Sequence, residues 1–350
     1  MSRDILVVGG AGYIGSHMVR MLADAGHRVT VFDNLCRGHR DAVGDARFIE
    51  GDIRSSGDLQ RGFASGRFDV VMHFAAFAYV GESTQQPALY YDNNVTGSLR
   101  LLEAMREAGV NRLVFSSTCA TYGDPVELPI TESHPQRPVN PYGATKMMVE
   151  HALRDYGRAY GFDSIALRYF NAAGCDPQGR VGERHFPETH LIPLALEEAL
   201  RVSTGGDPAS TGLSIYGNDF DTVDGTCVRD YIHVDDLCRA HLLAADRLLS
   251  GACRGAETYN LGNGRGFSVL EVIAAVRRVT GVDIRYRMGP RRVGDPGGLV
   301  GSAVSAGEVL GWQPRIPGID EMVATAWRWM LANPTRGAHV GNGVASMPAP

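Results

Sequence analysis

The chain has 350 residues, 44% of them hydrophobic and 21% charged, which is ordinary globular composition with length for two packed lobes. Its formal net charge of -5 comes with no basic run, which argues against a nucleic-acid or membrane-surface role built on clustered Lys and Arg and leaves a small molecule as the partner. Six scattered cysteines without a C-x-x-C pair suggest neither a zinc site nor a disulfide framework and fit a reducing cytoplasm; no targeting segment is expected at the start, no metal, and no span of the roughly 20 apolar residues that cross a bilayer.

From Ile5 to Tyr169, short β-branched runs (ILVV, RVTVF, FDVVMHF, RLVFSS, SIALRYF) alternate with helix-length segments, the signature of βαβ units and a parallel sheet covered on both faces. The first run ends in Gly9-Gly10-Ala11-Gly12-Tyr13-Ile14-Gly15, which opens a helix expected over Ile14 to Ala25. Glycines at a strand-to-helix turn permit close backbone approach, and the helix N-terminus offers free N–H groups and a favourable dipole to a pyrophosphate. The second strand ends at Asp33, 18 positions after Gly15, where an acid accepts ribose hydroxyls and repels a 2'-phosphate. Turn, strand and acid in register point to NAD and to a Rossmann-type, doubly wound α/β sheet over residues 1–170. Asp52 and Ile53, after the third strand, suit the adenine edge, although an ordinary turn explains Asp52 nearly as well. Cys36 reads as a small buried thiol.

Farther along, Tyr142 and Lys146 lie four apart at the start of a helix, so both point to one side. Nearby positive charge lowers a phenol from its ordinary pKa near 10 toward working pH and makes it a usable base. Alone, this spacing equally suits two surface residues. Its place after a strand running into Ser116-Ser117-Thr118 favours catalysis, because open α/β sheets bind ligands at the carboxyl ends of their strands. Thr118 is placed to pass a hydrogen bond from a substrate hydroxyl to Tyr142; Ser116 and Ser117 are also common turn residues.

A Pro- and Gly-rich stretch from Asn171 through Pro193 marks the start of a smaller α/β substrate lobe over 171–332, with a helix near Leu194 to Arg201. LSIYG reads as a strand, VDDLCRAHLLAADRLL as an amphipathic helix, and TYNLG with SVLEVIAAVRRV as strand-turn-helix; some of these segments are expected to return to the first sheet. Residues 333–350 lack an apolar period and read as a poorly ordered tail.

These residues resemble the extended short-chain dehydrogenase/reductase superfamily, through GGAGYIG, Asp33, the SST strand end and Y-x-x-x-K. Within it the chain is similar to UDP-galactose (UDP-glucose) 4-epimerases as far as about Trp329, through GGAGYIGSH, HFAAFAYVGES, YYDNNVTGSLRLLEAM, PYGATK, LRYFNAAG, DGTCVRDYIHVDDL and YNLGNGRGFSVLE. The resemblance implies tightly held NAD, epimerisation at C4 of a UDP-hexose through a 4-keto intermediate, Tyr142 as base, Lys146 as the group that positions NAD and tunes the tyrosine, Thr118 as the bridging hydroxyl, and a homodimer. It implies cofactor contacts from Gly9, Gly12, Tyr13, Ile14, Gly15, Asp33, Asn34, Asp52, Ile53, Phe74, Ala75, Asn93, Tyr142, Lys146 and Tyr169. Thr118, Asn171, His190, Leu191, Tyr216, Arg229, Arg292 and Asp295 are the implied UDP-sugar contacts, the arginines suiting a diphosphate. Asp230 is expected to orient structure, and Leu299 stands where the family sets sugar-pocket width.

Val8 and Ala78 depart from the family, which often has Thr at the first position and in some members Lys at the second; both read as tolerated. A UDP-pentose (xylose/arabinose) 4-epimerase is the second reading. A sugar-nucleotide 4,6-dehydratase is disfavoured because no acidic pair follows Thr118, and a catalytically silent scaffold because Tyr142, Lys146 and Thr118 are intact.

Overall fold

In the computed structural model, which describes residues 2–292 and 296–333, the β-branched runs are strands because both of their faces are covered. Strands β1 (Asp4–Val8), β2 (Arg28–Asp33), β3 (Arg47–Glu50), β4 (Val70–His73), β5 (Arg112–Thr118) and β6 (Asp163–Tyr169) come in turn from the first half of the chain. Within β1, Ile5 and Val7 pack on the helices Tyr13–Asp24 and Val234–Leu249. Leu6 and Val8 point the other way, onto the helices Ser56–Ala64, Gly97–Glu107 and Pro141–Tyr160. Each such side chain, fully buried, contributes roughly 1.5–3 kcal/mol. The outcome is the expected doubly wound parallel sheet.

The later strands are shorter: β7 (Asn171–Ala173), β8 (Ser214–Tyr216), β9 (Val228–His233), β10 (Ala256–Leu261), β11 (Gly266–Ser268), β12 (Arg287–Gly289) and β13 (Gly298–Leu299). One of them, β10, pairs in parallel with β6 and completes a seven-stranded sheet of order β10-β6-β5-β4-β1-β2-β3. The chain runs outward from β1 to β3 and then crosses to β4 on the other side of β1. The crevice beyond the carboxyl ends of β1 and β4 is therefore the switch point where such sheets take ligands.

The helix Val234–Leu249 covers this first sheet through Leu237, Ala240, Ala244 and Leu248, the alanines allowing close approach to the helix Tyr13–Asp24. A second core gathers the helices Leu191–Ser203, Val269–Thr280 and Ile319–Ala332 around Tyr231, Phe267 and Trp329. Beside it, β9 pairs with β7, β11 and β13, and β8 with β12. The first of these helices begins at Leu191, earlier than its proline suggests, because Pro193 occupies the first turn, where the missing N–H breaks no intrahelical bond. Residues 334–350, and with them nearly all of the expected tail, lie outside the described residues. Among the described residues no helix is long and apolar enough to cross a membrane.

Four histidines are buried in this framework with pKa values pushed down chiefly by burial: His17, His233 and His241 to about 4 and His73 to about 3. His241 donates from Nδ1 to the Leu237 carbonyl at 2.9 Å and stacks on Phe74 at 4.8 Å. A histidine whose folded pKa lies below its unfolded value near 6.5 binds protons more tightly when unfolded. The stability it permits is complete above pH 6.5 and is lost as pH falls toward the folded pKa. His241→Phe should therefore gain on the wild type by at most about 3 kcal/mol as pH falls from 6.5 to 4. Urea denaturation of both proteins across that range measures the difference.

Candidate active site

The glycine turn follows β1 directly. Gly9 has φ +83°, and a Cβ there would lie 2.4 Å from the Ala75 amide nitrogen; at Gly15 it would lie 2.1 Å from the Gly9 carbonyl oxygen. Only glycine fits either position. Gly12, at the helix N-cap, has the Gly9 oxygen as its sole neighbour, at 3.6 Å, so this side of the turn stays open to a ligand brought against the first helical N–H groups. Asp33 closes the turn from the end of β2, accepting the Ala11 N–H at 3.0 Å on one oxygen and the Leu35 N–H at 2.8 Å on the other. Burial raises its carboxyl pKa.

A groove runs from this turn, lined by Gly9, Gly12, Asp33, Asn34, Ile53, Phe74, Ala75 and Asn93. Its lining also includes Cys36, Arg37, Gly38, Ala76 and Phe77, of which only Cys36 had drawn notice. Contrary to its reading as a buried thiol, Cys36 is exposed, because the chain leaves β2 through Leu35 at φ +58° and turns outward. Its thiol pKa is raised by partial burial and by Asp33. Asp52 is engaged by Asn34 at 3.0 Å and by Arg54 at 2.7 Å, and these hydrogen bonds, Arg54 foremost, hold its carboxyl down at about 2. Such a glycine cradle with an acid at the end of the second strand fits NAD. Tyr13 donates to the Gly174 carbonyl at 2.6 Å, and Ile14 packs on the core beneath.

At the other end of the crevice, the helix Pro141–Tyr160 starts with Asn140 accepting the Gly143 N–H at 2.8 Å. A Cβ at Gly143 would lie 2.3 Å from the Ala120 oxygen, so this glycine lets the first turn press against the segment after β5. That contact brings Tyr142 near Thr118, whose side chain works against the rise that burial imposes on the phenol. Lys146, one turn on, is buried, donates to the Ser116 carbonyl at 2.7 Å and lies 4.8 Å from the centre of the Phe115 ring. Burial pulls its ammonium down to about 7 and drives the Tyr142 phenol far above its ordinary value. Positive charge brought against the phenol works in the opposite direction and favours phenolate. Tyr169, at the end of β6, pairs with Ser116 at 2.5 Å.

The residues expected to hold the sugar nucleotide lie on several elements of the second lobe, and of these Arg229 is tied to the segment after β5. Asn171 opens β7, Leu191 opens its helix, and Tyr216 ends β8 with the Arg292 guanidinium 4.1 Å over its ring. Arg229, on β9, donates to the carbonyls of Val228 at 2.9 Å and Pro296 at 3.0 Å, and its charge reaches Cys119 beside Thr118. Leu299 packs against the cluster of Cys119, Tyr122, Ile130 and Phe170. His190 places Nδ1 2.5 Å from Glu183. Asp295 lies outside the described residues.

The pattern of the NAD dependent epimerase/dehydratase family matches residues 5–262. A UDP-glucose 4-epimerase of Halalkalibacterium halodurans is 49% identical over 94% of this chain and 96% of its own, and one of Streptomyces lividans is 50% identical over 95% and 98%. The crystal structure of UDP-glucose 4-epimerase from Brucella ovis in complex with NAD superposes with a TM-score of 0.88 at 46% identity, covering 93% of this chain and 98% of the other. This chain belongs to the UDP-glucose 4-epimerase family.

Two features of this family member escaped sequence reasoning. Glu150 continues the Tyr142–Lys146 face one more turn into the core, where its carboxylate accepts from Ser117 at 2.6 Å, Gln136 at 3.0 Å and the Arg168 guanidinium. Arg168, on β6, is as buried as its partner and donates to the Tyr122 hydroxyl at 2.8 Å, which in turn donates to Asn260 on β10 at 2.6 Å. The i, i+4, i+8 spacing was visible, but the partner 18 residues away was not. Asn93 lies in a π-helical segment, Tyr91–Thr96, and its neighbour Asn94 clamps the groove wall by bonding the Phe77 backbone twice, at 2.9 Å each.

Removing one member of a buried pair leaves the other charge stranded and costs about 3–5 kcal/mol, whereas an apolar pair of similar volume is close to neutral. Glu150→Ala should lose about that much in urea denaturation, and Glu150→Leu combined with Arg168→Met should recover most of it.

Proposed function

We propose that this protein interconverts UDP-glucose and UDP-galactose by inverting C4, with NAD retained in the cradle between turnovers. The observation that carries the reading is the buried Tyr142 near buried Thr118, one turn from buried Lys146, beside a glycine cradle that ends at Asp33. In this reading the seven-stranded half, with the cofactor residues from Gly9 to Tyr169 named above, holds NAD. Asn171, Leu191, Tyr216, Arg229, Arg292 and Asp295 of the smaller lobe hold the UDP-sugar, the arginines meeting the diphosphate.

NAD, held by the cradle residues, would supply a reversible two-electron acceptor for the hydrogen at C4. Tyr142, as phenolate, accepts the O4 proton through or beside Thr118, and the sugar becomes a 4-keto species. Lys146, one turn along the same helix, would hold positive charge near the phenolate and help to position the cofactor. After the keto sugar has turned its other face, Tyr142 returns the proton to O4. No second substrate enters, because the oxidation and the reduction cancel within one turnover.

The same proposal places the protein in the cytoplasm, supported by the six free cysteines. It also makes it a homodimer, supported by the exposed Leu99 and Met148 on the adjacent helices Gly97–Glu107 and Pro141–Tyr160.

Incubation of the purified protein with UDP-galactose, UDP-N-acetylgalactosamine or UDP-xylose, adding no cofactor, should convert UDP-galactose to UDP-glucose; water loss to a stable 4-keto-6-deoxy product would overturn the reading. Tyr142→Phe should lower kcat by about 10²–10⁴-fold while the purified protein keeps its NAD, read by absorbance after denaturation.

A further inference from the structure

Between the two halves the chain carries a repeated pattern, Glu183-Arg-His185 and Glu188-Thr-His190, separated by Phe186-Pro187. Residues two apart on extended backbone point to the same side. Here the four side chains converge so that one ligand atom from each lies within 4.8 Å of all the others. Both carboxylates are more than nine-tenths buried, and the His185 ring is boxed by Tyr13 at 6.0 Å, Tyr79 at 5.9 Å and His190 at 5.1 Å.

We propose that Glu183, His185, Glu188 and His190 form a structural binding site for a divalent transition-metal cation, zinc by preference. Two imidazoles and two carboxylates are a donor set for a borderline-soft ion, and bonds of about 2.0–2.1 Å in a tetrahedron place neighbouring ligand atoms about 3.3–3.5 Å apart. His185 Nδ1 stands 3.2 Å from Glu183 and 3.6 Å from Glu188, and His190 Nδ1 stands 3.7 Å from Glu188. These separations suit ligands sharing an ion and exceed the roughly 2.7–2.9 Å of charge-assisted hydrogen bonds. Only Glu183 and His190, at 2.5 Å, have a hydrogen-bond separation. His185 Nδ1 is buried, faces two carboxylates and makes no hydrogen bond at all. Two carboxylates neutralise a divalent ion, so the loaded site adds no net charge to this half-buried place. Four protein ligands leave no open position, which marks a structural ion.

The ion's work is to fasten the segment leading into the helix Leu191–Ser203. His190 is that helix's N-cap residue, while His185 lies against Tyr13 at the opening of the first helix of the other half. A cation here fixes the fold of this segment and with it the His185 ring against Tyr13. The competing account is a set of ion pairs between protonated histidines and carboxylates with no metal.

The test uses full-length protein without a histidine tag, dialysed against zinc and then against buffer, with zinc measured by plasma mass spectrometry. The wild type should retain about one zinc per chain, and His185→Gln with Glu188→Gln at least about tenfold less, with NAD content and circular dichroism confirming the fold. A wild type without zinc, or a folded double variant that retains it, overturns the proposal. If the double variant does not fold, X-ray absorption on zinc-loaded wild type decides: two imidazole nitrogens among four N/O ligands support the site, and any other ligand set overturns it.

Discussion

Glu150 and Arg168 bring opposite charges into the interior, and neither is tolerable there without the other. Their pairing joins the helix Pro141–Tyr160 to β6, and because Glu150 also takes Ser117 from β5, it sets the rotation of the helix over two strands. A helix held by apolar contacts alone can rotate or slide by a fraction of a turn at small cost. One whose buried carboxylate must meet a guanidinium and a hydroxyl together has little such freedom. Two turns back along the same face, Tyr142 inherits that rotation and meets Thr118, the last residue of β5, while Lys146 between them reaches the carbonyl of Ser116. The network then passes through Tyr122 to Asn260 on β10, so the strand that returns from the distal part of the chain is locked to the same element.

The cradle obeys a different constraint, which is space. At Gly9 and Gly15 the backbones approach so closely that any side chain would strike a main-chain atom, and Gly12 alone is left open. Asp33 adds the electrostatic part by taking two backbone N–H groups from the turn and from its own loop. A carboxylate already tied on both oxygens is a fixed feature of the groove that it lines.

What could be read from the sequence divides along the same lines. The βαβ alternation, the glycine turn with Asp33 and the Tyr142–Lys146 spacing are local patterns, each within one or two elements, and the sheet follows from them. The start of the helix at Leu191 was obscured by Pro193, since a proline is a stop signal by composition and becomes an acceptable first-turn residue only once the N-terminus is known. Cys36 looked buried by residue type, whereas its exposure follows from a left-handed turn at Leu35 that no local preference announces. Arg37, Phe77 and Asn94 shape the groove from loops whose paths are tertiary, and the Glu150–Arg168 pair joins residues on separate elements. The Glu183–His190 repeat was local and legible, but a search for metal ligands that begins from cysteine spacing passes over it.

The segment from Gly174 to His190 explains how two lobes built on separate cores behave as one site. It runs along the helix Tyr13–Asp24, taking the Tyr13 hydroxyl on the Gly174 carbonyl, giving the Asp176 N–H to His17 at 3.1 Å, and pairing Arg180 with Asp24 at 2.9 Å and Arg184 with Asp41 at 2.6 Å. Exposed pairs of this kind are individually weak, but His17 and the Tyr13 contact are buried, and all four act in parallel on one stretch of backbone. The strap therefore fixes the start of the second lobe against the helix that opens at the glycine turn, and the Arg184–Asp41 pair extends the seam to the segment after β2.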